Sequence, residues 1–139
     1  MSSRHYSRIR RGFTLIELLL VMVILAVLAA IVVPKFTSRT KQAKETAAKT
    51  DISAFDLALD SFEVDNGHYP SSDEGLNALM TQPSDATNWK GPYLKKLPND
   101  PWGRPYVYRY PGQHNTNGYD VLSIGEDGQE GTADDVANW

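Results

Sequence analysis

The feature that most constrains this chain is a long apolar segment close to its N-terminus that contains a single carboxylate. The segment runs from Phe13 to Val33, roughly 20 residues, and at a rise of about 1.5 Å per residue a helix of that length matches a hydrocarbon core about 30 Å thick. Its one charged side chain, Glu17, costs on the order of a few kcal/mol to place in a bilayer, so we interpret it as functional. The segment therefore predicts a membrane-spanning helix that carries a functional carboxylate.

A basic stretch without acidic residues, Arg4 to Arg11, precedes this segment and meets it at the Gly12-Phe13 junction. We interpret the stretch as a processing leader. A conventional secretory signal cleaved after Ala29 is one alternative, and a plain single-pass anchor is another. Both alternatives leave Glu17 and the junction without a role. The sequence favours a protein that is inserted, trimmed and then assembled through its membrane helix.

Composition limits what the rest of the chain can be. At 139 residues there is room for one small domain beyond the membrane segment. The formal net charge is −3, and because the residues before Phe13 carry only basic charges, the remainder is more acidic than that value. An acidic domain without a basic patch argues against a nucleic-acid partner. The lack of cysteine excludes disulfide bonds and thiolate metal sites.

The sequence contains no motif typical of catalysis. Its three histidines, His5, His68 and His114, are far apart, and there is no Ser-His-Asp grouping, phosphate-binding loop or zinc-ligand spacing. Nothing near Asp134-Asp135 predicts the raised pKa that a catalytic carboxylate pair would need. We therefore expect that the protein is not an enzyme.

The helix that begins in the apolar segment is predicted to continue well beyond it. Pro34 removes one backbone hydrogen bond, but in a membrane helix proline kinks more often than it terminates. Asn66-Gly67 is a plausible C-cap, so the predicted helix extends from about Phe13 to about Asp65. Its second half carries an apolar stripe at three- and four-residue spacing that predicts an ordinary core face. The stripe consists of Ala48, Ile52, Phe55, Leu59 and Phe62.

Shorter elements are predicted after this helix. Ser72 is a candidate N-cap for a brief helix reaching Met80, and Trp102 is predicted as a buried indole in a tight turn. Residues 105–110 and 119–124 are rich in β-formers and are separated by turn residues, so they predict two antiparallel strands. The fold class is α+β, with the long N-terminal helix, transmembrane in its first half and amphipathic in its second, packed on a small antiparallel sheet.

The string RRGFTLIE followed by LLLVMVILAVLAAIVVPKF resembles the N-terminus of the type IV pilin and pseudopilin superfamily. This resemblance implies that a prepilin peptidase cuts between Gly12 and Phe13 and that the new N-terminus is methylated at Phe13. It also implies that Glu17 pairs with the ammonium so created, on a neighbouring subunit, and sets the register of a growing filament; a buried carboxylate needs such a partner. The implied domains are a leader at 1–12, a transmembrane and assembly helix at 13–34, and a periplasmic domain at 35–139.

Two later motifs narrow the resemblance. The segment Asn99-Asp100-Pro101-Trp102-Gly103-Arg104-Pro105-Tyr106, and NGHYP after the helix, are similar to the major pseudopilins of type II secretion systems. The family implies a subunit that polymerises into a periplasmic filament and drives protein export across the outer membrane. Implied partners are further copies of the chain, minor pseudopilins, an inner-membrane assembly platform, the prepilin peptidase and membrane lipid. The implied location is the bacterial inner membrane, with a cytoplasmic N-terminus and a periplasmic C-terminal domain; flanking basic residues alone favour this orientation only weakly.

A glycine-rich loop with five acidic residues lies between Ile124 and Asp135. Its carboxylates repel one another, and Ca²⁺, which takes 6–8 oxygen ligands, would relieve that repulsion; a solvated acidic loop is the alternative. The loop does not fit the EF-hand pattern. The family resemblance implies a calcium ion, with a ligand set made of three carboxylates and two backbone carbonyls and without Glu126 and Glu130. The ligands are the side chains of Asp127, Asp134 and Asp135 and the carbonyls of Ile124 and Thr132.

Two other functions stay open. A type IV major pilin shares the first third of this chain, but such pilins usually have a C-terminal cysteine pair, which is missing here. A monomeric, membrane-tethered calcium-binding module that never polymerises is the second.

Overall fold

The computed structural model of the chain describes residues 12–139, without the side chains of residues 33–37. The predicted leader lies outside the described residues apart from Gly12. The chain divides after Arg39 into two compact units. Along the described sequence the elements are a helix α1 (Leu15–Asn66), a 3₁₀ turn (Gly75–Leu79), and strands β1 (Val107–Arg109), β2 (Asp120–Ser123) and β3 (Val136–Ala137).

The long helix is confirmed at both predicted ends. It begins at Leu15 and continues past Pro34 to Asn66. Gly67 ends it with a φ of +80°, a conformation that suits glycine, and donates its N–H to the carbonyl of Glu63 at 2.7 Å. In the first unit, Leu15–Val32 has a mean hydropathy of 3.2 and no buried residue, so it is long and apolar enough to cross a membrane.

The predicted apolar stripe is also confirmed, and in the second unit it forms the centre of the core. Phe55, Leu59 and Phe62 are almost completely buried, and the edge of the Phe55 ring meets Tyr106 at a centroid distance of 4.9 Å. Fully burying one such side chain stabilises a fold by about 1.5–3 kcal/mol. The α-helical period of this stripe therefore determines which face of α1 meets the sheet.

The sheet is a three-stranded antiparallel meander in the order β1-β2-β3. Tyr108 of β1 pairs with Val121, and Ser123 of β2 pairs with Val136 of β3. The two predicted strands are confirmed, although both are shorter than their β-rich segments. The third strand was not predicted, because two residues after an acidic loop carry no pattern of their own.

The predicted short helix is confirmed as a 3₁₀ helix, Gly75–Leu79, but it is shorter than predicted and Ser72 does not cap it. Gly75, at a φ of +61°, interrupts the right-handed helical backbone that a longer helix would need. Ser71, not Ser72, bonds reciprocally with Glu74, the residue before this helix: its N–H donates to Glu74 Oε2 at 3.0 Å, and its Oγ accepts from the N–H of Glu74 at 3.4 Å. The Ser72 hydroxyl is instead bound to the backbone of Tyr110, donating to its carbonyl at 3.0 Å and accepting from its N–H at 2.9 Å.

Four tyrosine hydroxyls donate to aspartates of α1, an arrangement we call the tyrosine–aspartate contacts. These contacts, which the sequence does not predict, bond the helix to the segments packed around it. They join Tyr106 to Asp51 (2.7 Å), Tyr119 to Asp56 (2.8 Å), Tyr69 to Asp60 (3.4 Å) and Tyr93 to Asp65 (2.7 Å).

Candidate functional site

The N-terminal junction precedes the helix. Gly12, Phe13 and Thr14 are not helical, and the Phe13 side chain is 78% exposed. A peptide bond in a non-helical, exposed segment is open to a processing enzyme. The predicted cleavage point and methylation at Phe13 are compatible with this placement and stay predictions.

Glu17 has a local partner that the sequence analysis overlooked. The N–H of Thr14 donates to Glu17 Oε2 at 3.4 Å, and the N–H of Glu17 donates to Thr14 Oγ1 at 3.3 Å. This is a capping box, in which two helix-terminal N–H groups are satisfied reciprocally, and Thr-x-x-Glu is its sequence signature. Glu17 can therefore stabilise the start of α1 in a single chain, and a test of its assembly role must separate the two functions.

Glycines shape the acidic loop. Gly125 has a φ of +63°, and a Cβ there would overlap with the carbonyl oxygen and carboxylate of Asp134. The absence of a side chain allows the end of β2 to lie directly against the returning segment. The loop thus closes on Asp134 at its base.

Asp134 is the most completely bonded of the three predicted carboxylate ligands. Its Oδ2 accepts from the N–H groups of Glu126 (2.6 Å) and Asp127 (3.0 Å), and its Oδ1 accepts from the Thr132 hydroxyl at 2.7 Å. These donors, the Thr132 hydroxyl foremost, lower the pKa of Asp134 to about 2. Asp134 is therefore ionised throughout the physiological range.

Asp127 and Asp135 line two different depressions. Asp127 lines an open depression of about 510 Å³ together with Asp134, Thr132 and Lys41. Asp135 faces a second depression, also lined by Thr132. One Asp135 oxygen, Oδ2, accepts from the N–H of Gly131 at 2.7 Å, whereas the other, Oδ1, is buried without a hydrogen-bond partner. A buried carboxylate oxygen without a donor is costly unless a cation meets it.

The structure thus brings together part of the predicted ligand set. Asp127, Asp134 and Thr132 share one depression, while Asp135 contributes to the next one. Within residues 12–139, no three His, Cys, Asp or Glu side chains are gathered closely enough to hold a metal ion. Ile124 directly follows β2. The donors are all carboxylate or carbonyl oxygens, the ligand type that calcium prefers, and the unpartnered Asp135 Oδ1 fits such an ion.

Glu130, which the family pattern leaves out of the ligand set, has another partner. Its Oε2 accepts from Arg109 Nη2 at 2.6 Å in a two-bond pair. This guanidinium is the main reason that the pKa of Glu130 is lowered. The pair ties the loop to β1 independently of a metal.

Two family models match this chain, one in its N-terminal segment and one in the remainder. Residues 35–139 match the family described as type II secretion system (T2SS), protein G, and residues 7–33 match the prokaryotic N-terminal methylation motif. The chain is 51% identical over 139 residues to the type II secretion system core protein G of Pseudomonas aeruginosa, covering 95% of this chain and 96% of that protein. It is 46% identical over 134 residues to the protein of the same name from Escherichia coli K12, covering 94% and 91%.

A solved structure shows the same fold. The crystal structure of the major pseudopilin from the type 2 secretion system of enterohaemorrhagic Escherichia coli matches with a TM-score of 0.68 and 35% identity. The match covers 78% of this chain and 96% of that chain. The family match to most of the chain, the close relatives and this structure together show that the chain belongs to the type II secretion system protein G family, the major pseudopilins.

Proposed function

We propose that this major pseudopilin polymerises, through its N-terminal helix, into the periplasmic filament that drives protein export across the outer membrane. The observation that carries the proposal is the segment Leu15–Val32, eighteen residues that are apolar except for Glu17 and of which none is buried in the single chain. An apolar surface of that extent is stable only in lipid or against other protein surfaces. A subunit that is first held in the membrane and then packs its helix against those of other subunits has lipid around this surface first and protein afterwards.

Processing prepares the chain for this step. A prepilin peptidase cuts between Gly12 and Phe13 and the new N-terminus of Phe13 is methylated, in keeping with the methylation motif at residues 7–33. The Phe13 ammonium then becomes a cationic partner for Glu17 of a neighbouring subunit. A carboxylate paired in this way sets the register between subunits, because any other register leaves it in apolar surroundings without a partner.

The proposed location and partners follow from the same arrangement. The chain sits in the bacterial inner membrane as a single-pass protein, with the N-terminus cytoplasmic and the second unit periplasmic. Its partners are lipid before assembly and further copies of itself afterwards. We extend the partners to the minor pseudopilins and an inner-membrane assembly platform, since the relatives are core proteins of a secretion system.

Glu17 is tested by separating its charge from its capping role. Glu17→Gln keeps a side chain that can complete the capping box but removes the charge, so we expect it to abolish filament assembly, and we expect the same of Glu17→Ala. Thr14→Ala removes the capping partner and leaves the charge, so we expect assembly to persist. Filaments sheared from cells that overproduce the secretion system are quantified by immunoblot and electron microscopy.

The controls show whether a variant is still a competent precursor. Intact-mass measurement checks that each variant is cut after Gly12 and methylated at Phe13, and membrane fractionation checks insertion. Asp85→Ala, an exposed acidic residue in a loop, serves as the matched substitution. Normal filament yield from Glu17→Gln would contradict the pairing, and a lack of filaments from the unmodified chain would favour the monomeric membrane-tethered module.

We also propose that the acidic loop binds calcium. The side chains of Asp127, Asp134 and Asp135 and the carbonyls of Ile124 and Thr132 would hold the ion. The proposal is supported by the ionised Asp134, the unpartnered buried Oδ1 of Asp135 and the all-oxygen donor set. The ion would supply positive charge that offsets the repulsion among these carboxylates.

A further inference from the structure

The turn at Asp100–Arg104, which we call the DPWGR turn, lies directly against the acidic loop. The Arg104 guanidinium donates through Nη1 to the carbonyl of Gly125 at 2.7 Å and through Nη2 to the carbonyl of Glu126 at 3.3 Å. From its residues alone, apart from the family resemblance, this segment predicts no more than a tight turn. The contact joins residues 21 and 22 positions apart in the chain.

The backbone of Arg104 is held in place by a buried carboxylate. Asp100 is only 4% exposed, and its Oδ1 accepts from the backbone N–H groups of Trp102 (3.1 Å) and Arg104 (2.7 Å). Its Oδ2 accepts from the hydroxyl of Ser123, the last residue of β2. Asp100 thereby fixes the turn to the strand end from which the acidic loop starts, and a charge buried with such donors is hard to displace.

The loop in turn is shaped to receive the guanidinium. Gly128 has a φ of +71°, and a Cβ at this position would lie 2.8 Å from the guanidinium carbon of Arg104. The loop therefore wraps around the side chain at a position where only glycine leaves enough room. Arg104 therefore lies against the loop at Gly125, Glu126 and Gly128.

The two carbonyls that Arg104 engages are those of the residues between two predicted calcium ligands. Gly125 follows Ile124, and Glu126 precedes Asp127. By occupying the carbonyls of Gly125 and Glu126, the guanidinium holds this segment in one conformation and leaves the Ile124 carbonyl and the Asp127 carboxylate for an ion. Fixing part of the ligand set in advance favours binding, because less ordering is then needed when the ion binds.

We propose that Arg104 is a positioning residue for the calcium loop: it holds the Gly125-Glu126 segment in the conformation that binds the ion. The inference rests on the proposed calcium site. The positioning role and simple electrostatics predict opposite effects of removing Arg104 on calcium binding. Removing a cation beside the loop should strengthen calcium binding if charge alone matters, whereas loss of a positioning contact weakens it.

The test is a titration of the full chain in detergent micelles, stripped of metal with chelator and dialysed, with calcium chloride alone in an isothermal calorimeter. Arg104→Met keeps the aliphatic stem and removes both hydrogen bonds, and we expect its calcium dissociation constant to rise by about tenfold or more, the effect of losing about 1.4 kcal/mol. Arg104→Lys keeps the charge but lacks the planar fork whose two separate nitrogens reach the two carbonyls, so we expect an intermediate loss.

Lys41→Met is the matched control, since it removes one cation from the depression that Asp127 and Asp134 line. We expect it to bind calcium at least as well as the unmodified chain. Far-UV circular dichroism in chelator checks that each variant is folded; if Arg104→Met is not, Arg104→Lys carries the comparison. Wild-type-like or tighter binding by the folded Arg104 variants overturns the positioning role alone. No binding by the unmodified chain overturns the calcium site, and the inference falls with it.

Discussion

At the scale of single residues, buried carboxylates organise the loops of the second unit. Asp120 is completely buried in β2, and its oxygens accept from the N–H groups of Gln113 (2.6 Å), His114 (2.9 Å) and Asn115 (2.9 Å). Burial by itself would raise the pKa of Asp120, but these donors and the His114 ring together lower it. The loop between β1 and β2 is thus folded around one anion.

We expect Asp120→Asn to destabilise the protein by about 2–3 kcal/mol, because its amide NH₂ group would face backbone N–H donors that then lack an acceptor. The folded-state pKa of Asp120 lies below its unfolded value, so its stabilisation is complete above the unfolded pKa and is lost as the pH falls through the folded pKa. The deficit of the variant should therefore shrink in acid. Urea unfolding at several pH values measures it.

Asp85→Asn, in an exposed loop position, is the control for this change and should leave the free energy of unfolding almost unaltered. An Asp120→Asn variant as stable as the unmodified protein at neutral pH would show that the N–H groups of the loop do not depend on the anion.

At the scale of elements, the tyrosine–aspartate contacts hold α1 to the structures around it. Tyr106 directly precedes β1 and bonds to Asp51, and Tyr119 directly precedes β2 and bonds to Asp56. Both aspartates belong to α1. Burial raises the pKa of Asp56, and the Tyr119 hydroxyl opposes that rise by donating to the ionised carboxylate. The helix therefore gains specific hydrogen bonds beside its apolar stripe.

We expect Tyr119→Phe to reduce the free energy of unfolding by about 1.5 kcal/mol, the lower end for a bond to a charged group, because Asp56 keeps some contact with solvent. Loss of the hydroxyl should raise the pKa of Asp56 further. The stability deficit should then diminish as the pH falls through that pKa, since protonated Asp56 no longer needs the donor. Carboxyl-carbon NMR titration and thermal unfolding give the two quantities.

Tyr69→Phe is the matched comparison, because its hydroxyl lies 3.4 Å from Asp60, a longer and weaker contact. It should cost less stability than Tyr119→Phe. Equal losses in the two variants would mean that ring packing, not the hydroxyl–carboxylate bonds, dominates.

At the scale of the whole molecule, the second unit has to remain folded without a disulfide. The chain has no cysteine, and small domains with modest cores commonly need an additional staple. A calcium ion in the acidic loop would be such a staple, joining the segment after β2 to the segment before β3. With such a staple, the free energy of unfolding depends on the concentration of free calcium.

We expect chelation of calcium to lower the unfolding temperature of the full chain in micelles, and addition of calcium to restore it. At free calcium one hundred times the dissociation constant, binding stabilises by about 2.7 kcal/mol. Magnesium should not substitute, because it requires a smaller octahedral site. Asp135→Asn should unfold at one temperature with or without chelator, and an unmodified chain indifferent to chelator would refute the calcium site.

Local patterns made much of this fold predictable. Helical periodicity predicts the bounds of α1 and the burial of Phe55, Leu59 and Phe62. The conformational freedom of glycine predicts the C-cap at Gly67. Both signals come from residues that are neighbours in the sequence. Local pattern also misled. Ser72 was predicted as a helix cap, yet its hydroxyl is used by Tyr110. Trp102, predicted as a buried indole, is only half-buried, with Lys44 Nζ 5.9 Å from its ring centroid.

The sequence by itself determined the membrane-spanning segment, the long helix, the core stripe and the family, because each depends on residues close together in the chain. Tertiary structure alone decided the hydrogen bond between Tyr106 and Asp51, 55 positions away, and the hydrogen bonds from Arg104 to the acidic loop. It also decided that Asp135 and Asp127 line two different depressions. Such contacts depend on strand register and loop closure, which packing sets across the domain and no short stretch of sequence encodes.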